Sequence, residues 1–103
     1  MPSRVAGADF ESEVLNSDIP VLADFYSDSC IPCKRLSPIL TQLENEYAGK
    51  VKIVKVNVNF EEDLVQKYEV QSAPTLILFS NGSEVSRVTG AVKKDEIINI
   101  INA

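Results

Sequence analysis

The run Val21-Leu22-Ala23-Asp24-Phe25-Tyr26 is apolar except for one carboxylate. A strand with one wet face alternates polar and apolar residues, so a run without alternation suits a strand buried on both faces. That requirement narrows the fold sharply. Both faces of the sheet need a cover, and helices that join parallel strands supply it. The sequence after the run provides one. From about Cys30 to Tyr47, the residues Leu36, Ile39, Leu40, Leu43 and Tyr47 recur with helical period, and Gly49 offers a stop. Pro38 lies inside this helix and is expected to kink it. Val51 to Val58, rich in valine and isoleucine, predicts a second buried strand.

The flanks fit the same scheme. Phe10, Val14 and Leu15 share one helical face among Asp9, Glu11 and Glu13, which predicts a short first helix. A short helix is expected around Glu61 to Tyr68. Thr75 to Phe79 and Glu84 to Thr89 then flank Asn81-Gly82, the strongest short hairpin signal. Lys93 to Asn102 closes the chain as a helix with Ile97, Ile98 and Ile101 on its apolar face. This order predicts an α/β sheet with a parallel crossover part and an antiparallel edge. At 103 residues, without internal repeat or linker, residues 1–103 read as a single domain.

Charge and composition exclude several classes. Fifteen acidic against ten basic residues give a net charge of −5, and no basic face for nucleic acid stands out. No stretch reaches the roughly 18–20 apolar residues that span a bilayer. Met1-Pro2-Ser3-Arg4 is not followed by an apolar signal core, so a cytoplasmic location is expected. Histidine is absent, which removes Ser-His-Asp and Cys-His catalysis and histidine metal sites together.

The two cysteines are Cys30 and Cys33, in Ser29-Cys30-Ile31-Pro32-Cys33-Lys34, where a buried strand hands over to a helix. Cys30 falls at the helix N-terminus, where unpaired N–H groups and the macrodipole favour a thiolate. Cys33 comes round the first turn beneath it, and Pro32 fits an early helical position that needs no N–H. One thiol is then exposed and activated while the other is close and sheltered, as attack on a disulfide followed by internal resolution requires. A structural zinc site needs four ligands, which two cysteines reach only if two chains share them. An iron–sulfur cluster fails on the same count. A purely structural bridge closing so short a loop gains only about 2 kcal/mol in the chain-entropy model.

Asp24 is the second signal. An ionised carboxylate in an apolar strand costs several kcal/mol unless paired, so burial would raise its pKa. Strand alternation could instead turn it to solvent. Six residues before Cys30, it is placed to take the proton of Cys33, through a water. Lys55, in the neighbouring apolar strand, is either its charge partner or an outward-facing lysine.

Cys-x-x-Cys beside a βαβ pattern is itself the standard cue for a thioredoxin-like redox motif. The chain resembles the thioredoxin family from about Val5 to Asn102 in much more than that. Asp24-Phe25, Pro32-Cys33-Lys34, Pro38-Ile39-Leu40, Val56-Asn57-Val58, Ala73-Pro74-Thr75, Asn81-Gly82 and Gly90 all occur in the family's order. The resemblance implies the thioredoxin fold, a central mixed β-sheet of about five strands flanked by four helices. It implies Cys30 as attacking thiolate, Cys33 as resolving thiol, and Asp24 as buried acid–base residue with Lys55 beside it. Pro74 would be a cis-proline facing the disulfide. Ala73 would offer backbone hydrogen bonds to a substrate chain, and Gly90 with Ala91 would line the groove that receives it.

Two departures stand beside these matches. The family usually reads Trp-Cys-Gly-Pro-Cys, whereas Ser29 and Ile31 replace its tryptophan and glycine, and Tyr26 stands where a second tryptophan is common. Tryptophan is a favoured hot-spot residue, so its loss at a partner-facing position should change partner choice.

The expected activity is therefore protein disulfide reduction by dithiol–disulfide exchange. The expected partners are disulfide-containing proteins and a separate thioredoxin-reductase-type electron donor. No metal, cofactor, nucleic acid or membrane is expected, and the chain should be a monomer. No Gly-x-Gly-x-x-Gly nucleotide fingerprint occurs, so electrons would arrive by protein contact. Two alternatives remain: a binding module on the same fold with incidental cysteines, and a specialised redox partner of a non-standard reductase.

Overall fold

The structure, a computed structural model, describes residues 2–102. Strand β1 (Ser3–Arg4) is followed by a 3-10 turn (Gly7–Asp9) and a π-helical turn (Glu11–Leu15). Then come β2 (Val21–Tyr26), α1 (Ile31–Glu46), β3 (Lys52–Asn57), α2 (Glu62–Lys67), β4 (Thr75–Ser80), β5 (Ser83–Thr89) and α3 (Lys94–Ile101). The five strands form one mixed sheet in the order β1-β3-β2-β4-β5. The β1–β3 and β3–β2 pairs are parallel, and the β2–β4 and β4–β5 pairs are antiparallel. With the N-terminal helical turns counted as a helix, this is the expected five-strand sheet with four helices. Among the described residues, no helix is long and apolar enough to cross a membrane.

β2 lies in the middle, and all six of its residues are buried. Its side chains alternate between two cores. Val21, Ala23 and Phe25 join Phe10, Val14, Val54, Val56, Ile77 and Phe79 under the N-terminal turns and α2. Leu22 joins Leu36, Leu40, Leu43, Ile53, Leu76, Leu78 and Ile97 under α1 and α3. Asp24 and Tyr26 therefore project toward the α1 side, in step with Leu22.

The first helical segment is not α-helical. Asn16 N–H bonds Glu11 O at 2.8 Å, an i→i−5 bond, and Gly7 N–H donates to Glu61 Oε1 at 2.8 Å. A Cβ at Gly7 would stand 2.9 Å from that same oxygen, so a larger residue there would push the flexible Glu61 side chain aside. Phe10 is pressed against Phe79 and Tyr68, with ring centroids 5.4 and 5.6 Å away. Long-range packing thus overrides the ordinary turn. The strand β1 is absent from the sequence reading because its two exposed residues carry no apolar pattern.

Pro38 lies within α1, which runs through it as one sixteen-residue helix. Asn81 and Gly82 both have positive φ, 54° and 80°, as a two-residue hairpin turn of the favoured kind demands.

The packing sets up a contrast between two phenylalanines. Phe10→Ala removes a ring that is 2% exposed and should cost about 3–5 kcal/mol. Phe60 is 72% exposed, and Phe60→Ala should change stability by no more than about 0.5 kcal/mol. Urea denaturation of the oxidised proteins measures both. Equal costs would contradict this assignment of the core.

Candidate active site

β2 ends at Tyr26, and the chain crosses the end of the sheet to begin α1. Cys30 is the N-cap residue of α1 in an extended conformation, with Ile31 and Pro32 in the first turn. The Cys30 carbonyl accepts the first helical bond from Lys34 N–H at 3.2 Å, and its Sγ accepts from Cys33 N–H at 3.1 Å. A cysteine thus occupies the place where a helix usually keeps a hydroxyl or carboxylate oxygen. Cys30 and Cys33 form a disulfide with Cα atoms 5.2 Å apart. Cys30 is half-buried, and Cys33 is only 6% exposed.

The loop before the helix is tied down. Asn57, buried at the end of β3, donates from Nδ2 to Asp28 Oδ2 at 3.2 Å and accepts from Asn59 N–H at 2.9 Å. Ser27 Oγ donates to Asn59 Oδ1 and lies 3.2 Å from Ser29 Oγ. Ser29 is exposed, and Ile31 is 63% exposed beside the cysteines.

Two distant segments close on the disulfide from one side. The carbonyl oxygen of Ala73 lies 3.5 Å from Cys30 Sγ, and the Ala73–Pro74 peptide is cis. The oxidised sulfur has no proton to donate, so that contact becomes a hydrogen bond only in the thiol form. Gly90 N–H donates to the Pro74 carbonyl at 3.0 Å, which fixes the Gly90–Ala91 turn against the proline. Gly90 has φ +90°, a left-handed conformation that favours glycine. Ala91 and Pro32 border a notch of about 120 Å³ with Arg35, Leu36, Ile39 and Val92.

On the other side, Cys33 lines a cleft of about 350 Å³ together with Tyr26, Lys55, Arg4, Lys34 and Asp28. Asp24 lies in register with Lys55 on β3 and Leu76 on β4. It is 1% exposed, and its Oδ1 is buried without a hydrogen-bond partner. The solvent-facing alternative for Asp24 is thereby removed. Burial pushes its carboxyl from 3.8 up to about 7, and the Lys55 ammonium acts in the opposite direction. Lys55 is half-buried, with Nζ 4.3 Å from the centroid of the Tyr26 ring.

The structure thus gathers Cys30, Cys33, Ala73, Pro74 and Gly90 around the disulfide, with Ile31 and Ser29 on its exposed rim. Lys55 and Tyr26 share the cleft with Cys33, and Asp24 is the register neighbour of Lys55 on β2. Sequence reasoning missed the Lys55–Tyr26 contact and the Asn57 clamp on the loop. The first was accessible in principle, because Tyr26 follows Asp24 by two positions and so shares its face. No described group of three or more Cys, Asp or Glu residues could hold a metal ion.

The buried carboxyl has a thermodynamic signature. Its value is higher in the folded than in the unfolded state, so between the two the folded state holds more protons. The resulting stability is fully present below 3.8 and is lost as pH rises to about 7. Relative to Asp24→Ala, the wild-type protein should therefore lose roughly 4 kcal/mol across that window, with no further divergence above it. Urea denaturation of both oxidised proteins across the window reads this out. Parallel pH profiles would mean that Asp24 is not buried as described.

The family model described as Thioredoxin matches residues 2–103. Thioredoxin of Haemophilus influenzae is 50% identical over 99 residues, covering 96% of this chain and 92% of that protein. Thioredoxin C-2 of Corynebacterium nephridii is 43% identical over 93 residues, covering 90% and 86%. Thioredoxin of Rickettsia bellii is 39% identical over 102 residues, covering 99% and 97%. With a Cys-x-x-Cys disulfide capping the helix that follows the central strand, the chain belongs to the thioredoxin family and is a thiol–disulfide oxidoreductase.

Proposed function

We propose that the protein reduces disulfides in other proteins, with Cys30 as the attacking sulfur and Cys33 as the resolving one. The observation that carries this reading is the unequal setting of the two sulfurs. Cys30 is half-buried at the helix N-cap beside the Ala73 and Gly90 turns, whereas Cys33 is buried one turn inside. In the reduced protein, the Cys33 N–H and the positive end of α1 favour a thiolate on Cys30.

The Cys30 thiolate attacks one sulfur of the substrate disulfide. A new S–S bond forms, and the other substrate sulfur leaves as a thiol after taking a proton. Cys33 then gives its proton to the Asp24 carboxylate and attacks Cys30 Sγ. The mixed disulfide breaks, the second substrate sulfur takes up the proton held by Asp24 and departs as a thiol, and Cys30–Cys33 is oxidised. Two electrons from the cysteine pair and two protons, one from Cys33 by way of Asp24 and one from solvent at the first step, have passed to the substrate. A carboxyl with a value of about 7 suits the acceptor role, because near neutrality it is present in both protonation states. Restoring the dithiol requires a separate reductase that delivers electrons by protein contact. A working dithiol form also fits a reducing compartment such as the cytoplasm.

The backbone of Ala73, the Pro74 turn and the Gly90–Ala91 turn would receive an extended substrate segment beside Cys30. Ser29, Ile31 and Pro32, all exposed, would meet the partner's side chains and set its choice.

Assignment of the sulfurs is tested with an insulin-type protein disulfide. Cys30→Ser should abolish reduction, while Cys33→Ser should accumulate a mixed disulfide on Cys30, detected by mass spectrometry. Trapping on Cys33 in the Cys30→Ser protein, with no adduct on Cys30 in the other variant, would reverse the roles.

Partner choice has its own test. Ser29→Trp with Ile31→Gly should raise turnover with a conventional thioredoxin reductase, while reaction with a small disulfide reagent changes much less. Equal changes in both assays would place the effect in thiol chemistry rather than in recognition.

A further inference from the structure

Lys55 has charged register neighbours on both sides. Arg4 stands across from it on β1, and Asp24 stands across from it on β2. A lysine is ordinarily free to carry its ammonium into water on a flexible stem. Here Nζ instead rests 4.3 Å from the centroid of the Tyr26 ring. The face of an aromatic ring is negative and attracts an ammonium, most strongly where water is partly excluded. Tyr26 is only 6% exposed, so its ring is a fixed platform. Its hydroxyl is buried without a hydrogen-bond partner, which leaves the ring face as the polar attraction it offers to Lys55.

We propose that Tyr26 is a positioning residue for disulfide exchange, whose ring face holds the Lys55 ammonium at the Cys33 cleft and so fixes the positive field at Asp24. The inference rests on the reading of Asp24 as proton acceptor. Other charged groups facing the cleft are Arg4 from β1, Asp28 after β2 and Lys34 from α1. All three are exposed, so water screens them, and Asp28 is also held by Asn57 Nδ2 at 3.2 Å. β4 presents only the apolar Leu76 to Asp24 in the strand register. Lys55 is therefore the cation whose position matters most to the carboxyl, and the ring decides that position. Without the ring, the stem is free to carry the charge into water, where its effect on a buried carboxylate weakens.

The test uses the oxidised full-length protein. The ε-methylene protons of Lys55 should be shifted upfield by the Tyr26 ring in the proton NMR spectrum. Tyr26→Phe and Tyr26→Trp should retain a ring-induced shift, and Tyr26→Leu should lose it. Followed by carboxyl-carbon NMR, the Asp24 titration midpoint should stay near its wild-type position in Tyr26→Phe. In Tyr26→Leu it should rise by about 0.5–1 pH unit, as it should in Lys55→Gln, and the double variant should rise no further. Tyr26→Met serves the same purpose if the leucine variant does not fold.

A midpoint unmoved in the aliphatic variants, or one that falls because water reaches the carboxyl, would overturn the proposal. So would a Lys55 signal without an upfield shift in the wild type. The pH profile of mixed-disulfide resolution separates this result from the mechanism it rests on. If the Asp24 midpoint moves with Tyr26 but the profile does not, the positioning contact holds and the proton-acceptor reading fails.

Discussion

The central strand is covered on both faces, and the rest of the molecule is arranged around that constraint. β2 is flanked by β3 and β4 and has no exposed residue, so every side chain on it must be satisfied by protein. For Val21, Leu22, Ala23 and Phe25 an apolar side chain meets the requirement, and Tyr26 meets it with its ring though not with its buried hydroxyl. Asp24 does not, and its carboxyl stays near neutrality in charge preference only because burial and Lys55 pull in opposite directions. The central strand thus carries one ionisable group held at an energetic disadvantage, in register with a lysine that lines the Cys33 cleft. The apolar side chains buried in the two cores on either side of β2 offset this cost.

The same strand organises the sulfurs. Its C-terminal end points at the start of α1, and α1 packs back over the sheet through Leu36, Leu40 and Leu43. That packing turns the N-terminus of α1 toward the β3–β2 end of the sheet, where Asn57 clamps the intervening loop. Cys30 can then take the capping position without a conventional cap residue. The capping bond to Cys33 N–H and the covalent bond to Cys33 Sγ use the same atom, so the start of the helix and the redox centre are one local structure.

Much of this was legible in the sequence. The uninterrupted runs gave away β2, β3 and β4, the leucine spacing gave α1, and Asn81-Gly82 marked the β4–β5 turn. Cys30, Cys33 and the anomalous Asp24 stood out by residue type alone. What stayed hidden depends on pairings distant in the chain. β1 is defined by hydrogen bonding to β3, and its two exposed residues have no pattern to read. The π-helical turn follows from packing of Phe10 on Phe79 and from the Glu61 bond to Gly7, both beyond local propensity. The approach of Ala73 and Gly90 to the disulfide likewise joins segments that no local rule connects, and the family resemblance, rather than spacing, anticipated it. Lys55 lay between two readings until the register placed it opposite Asp24 and the ring of Tyr26 explained where its charge goes.

The two edges of the sheet have a consequence for behaviour at high concentration. An exposed edge strand is a template on which another chain can add, and long, flat, apolar edges invite aggregation. Here one edge is β1, only two residues long, with the charged Arg4 at its end. The other is β5, whose Glu84 and Arg87 form an exposed ion pair and whose pairing with β4 is broken by a register shift at Leu78/Phe79. Neither edge offers a flat, uncharged row of free N–H and C=O groups. With a half-buried disulfide cysteine and the exposed Ile31 at one end of its sheet, the protein keeps the edges of that sheet closed to uninvited strands, and a net charge of −5 adds mutual repulsion between copies.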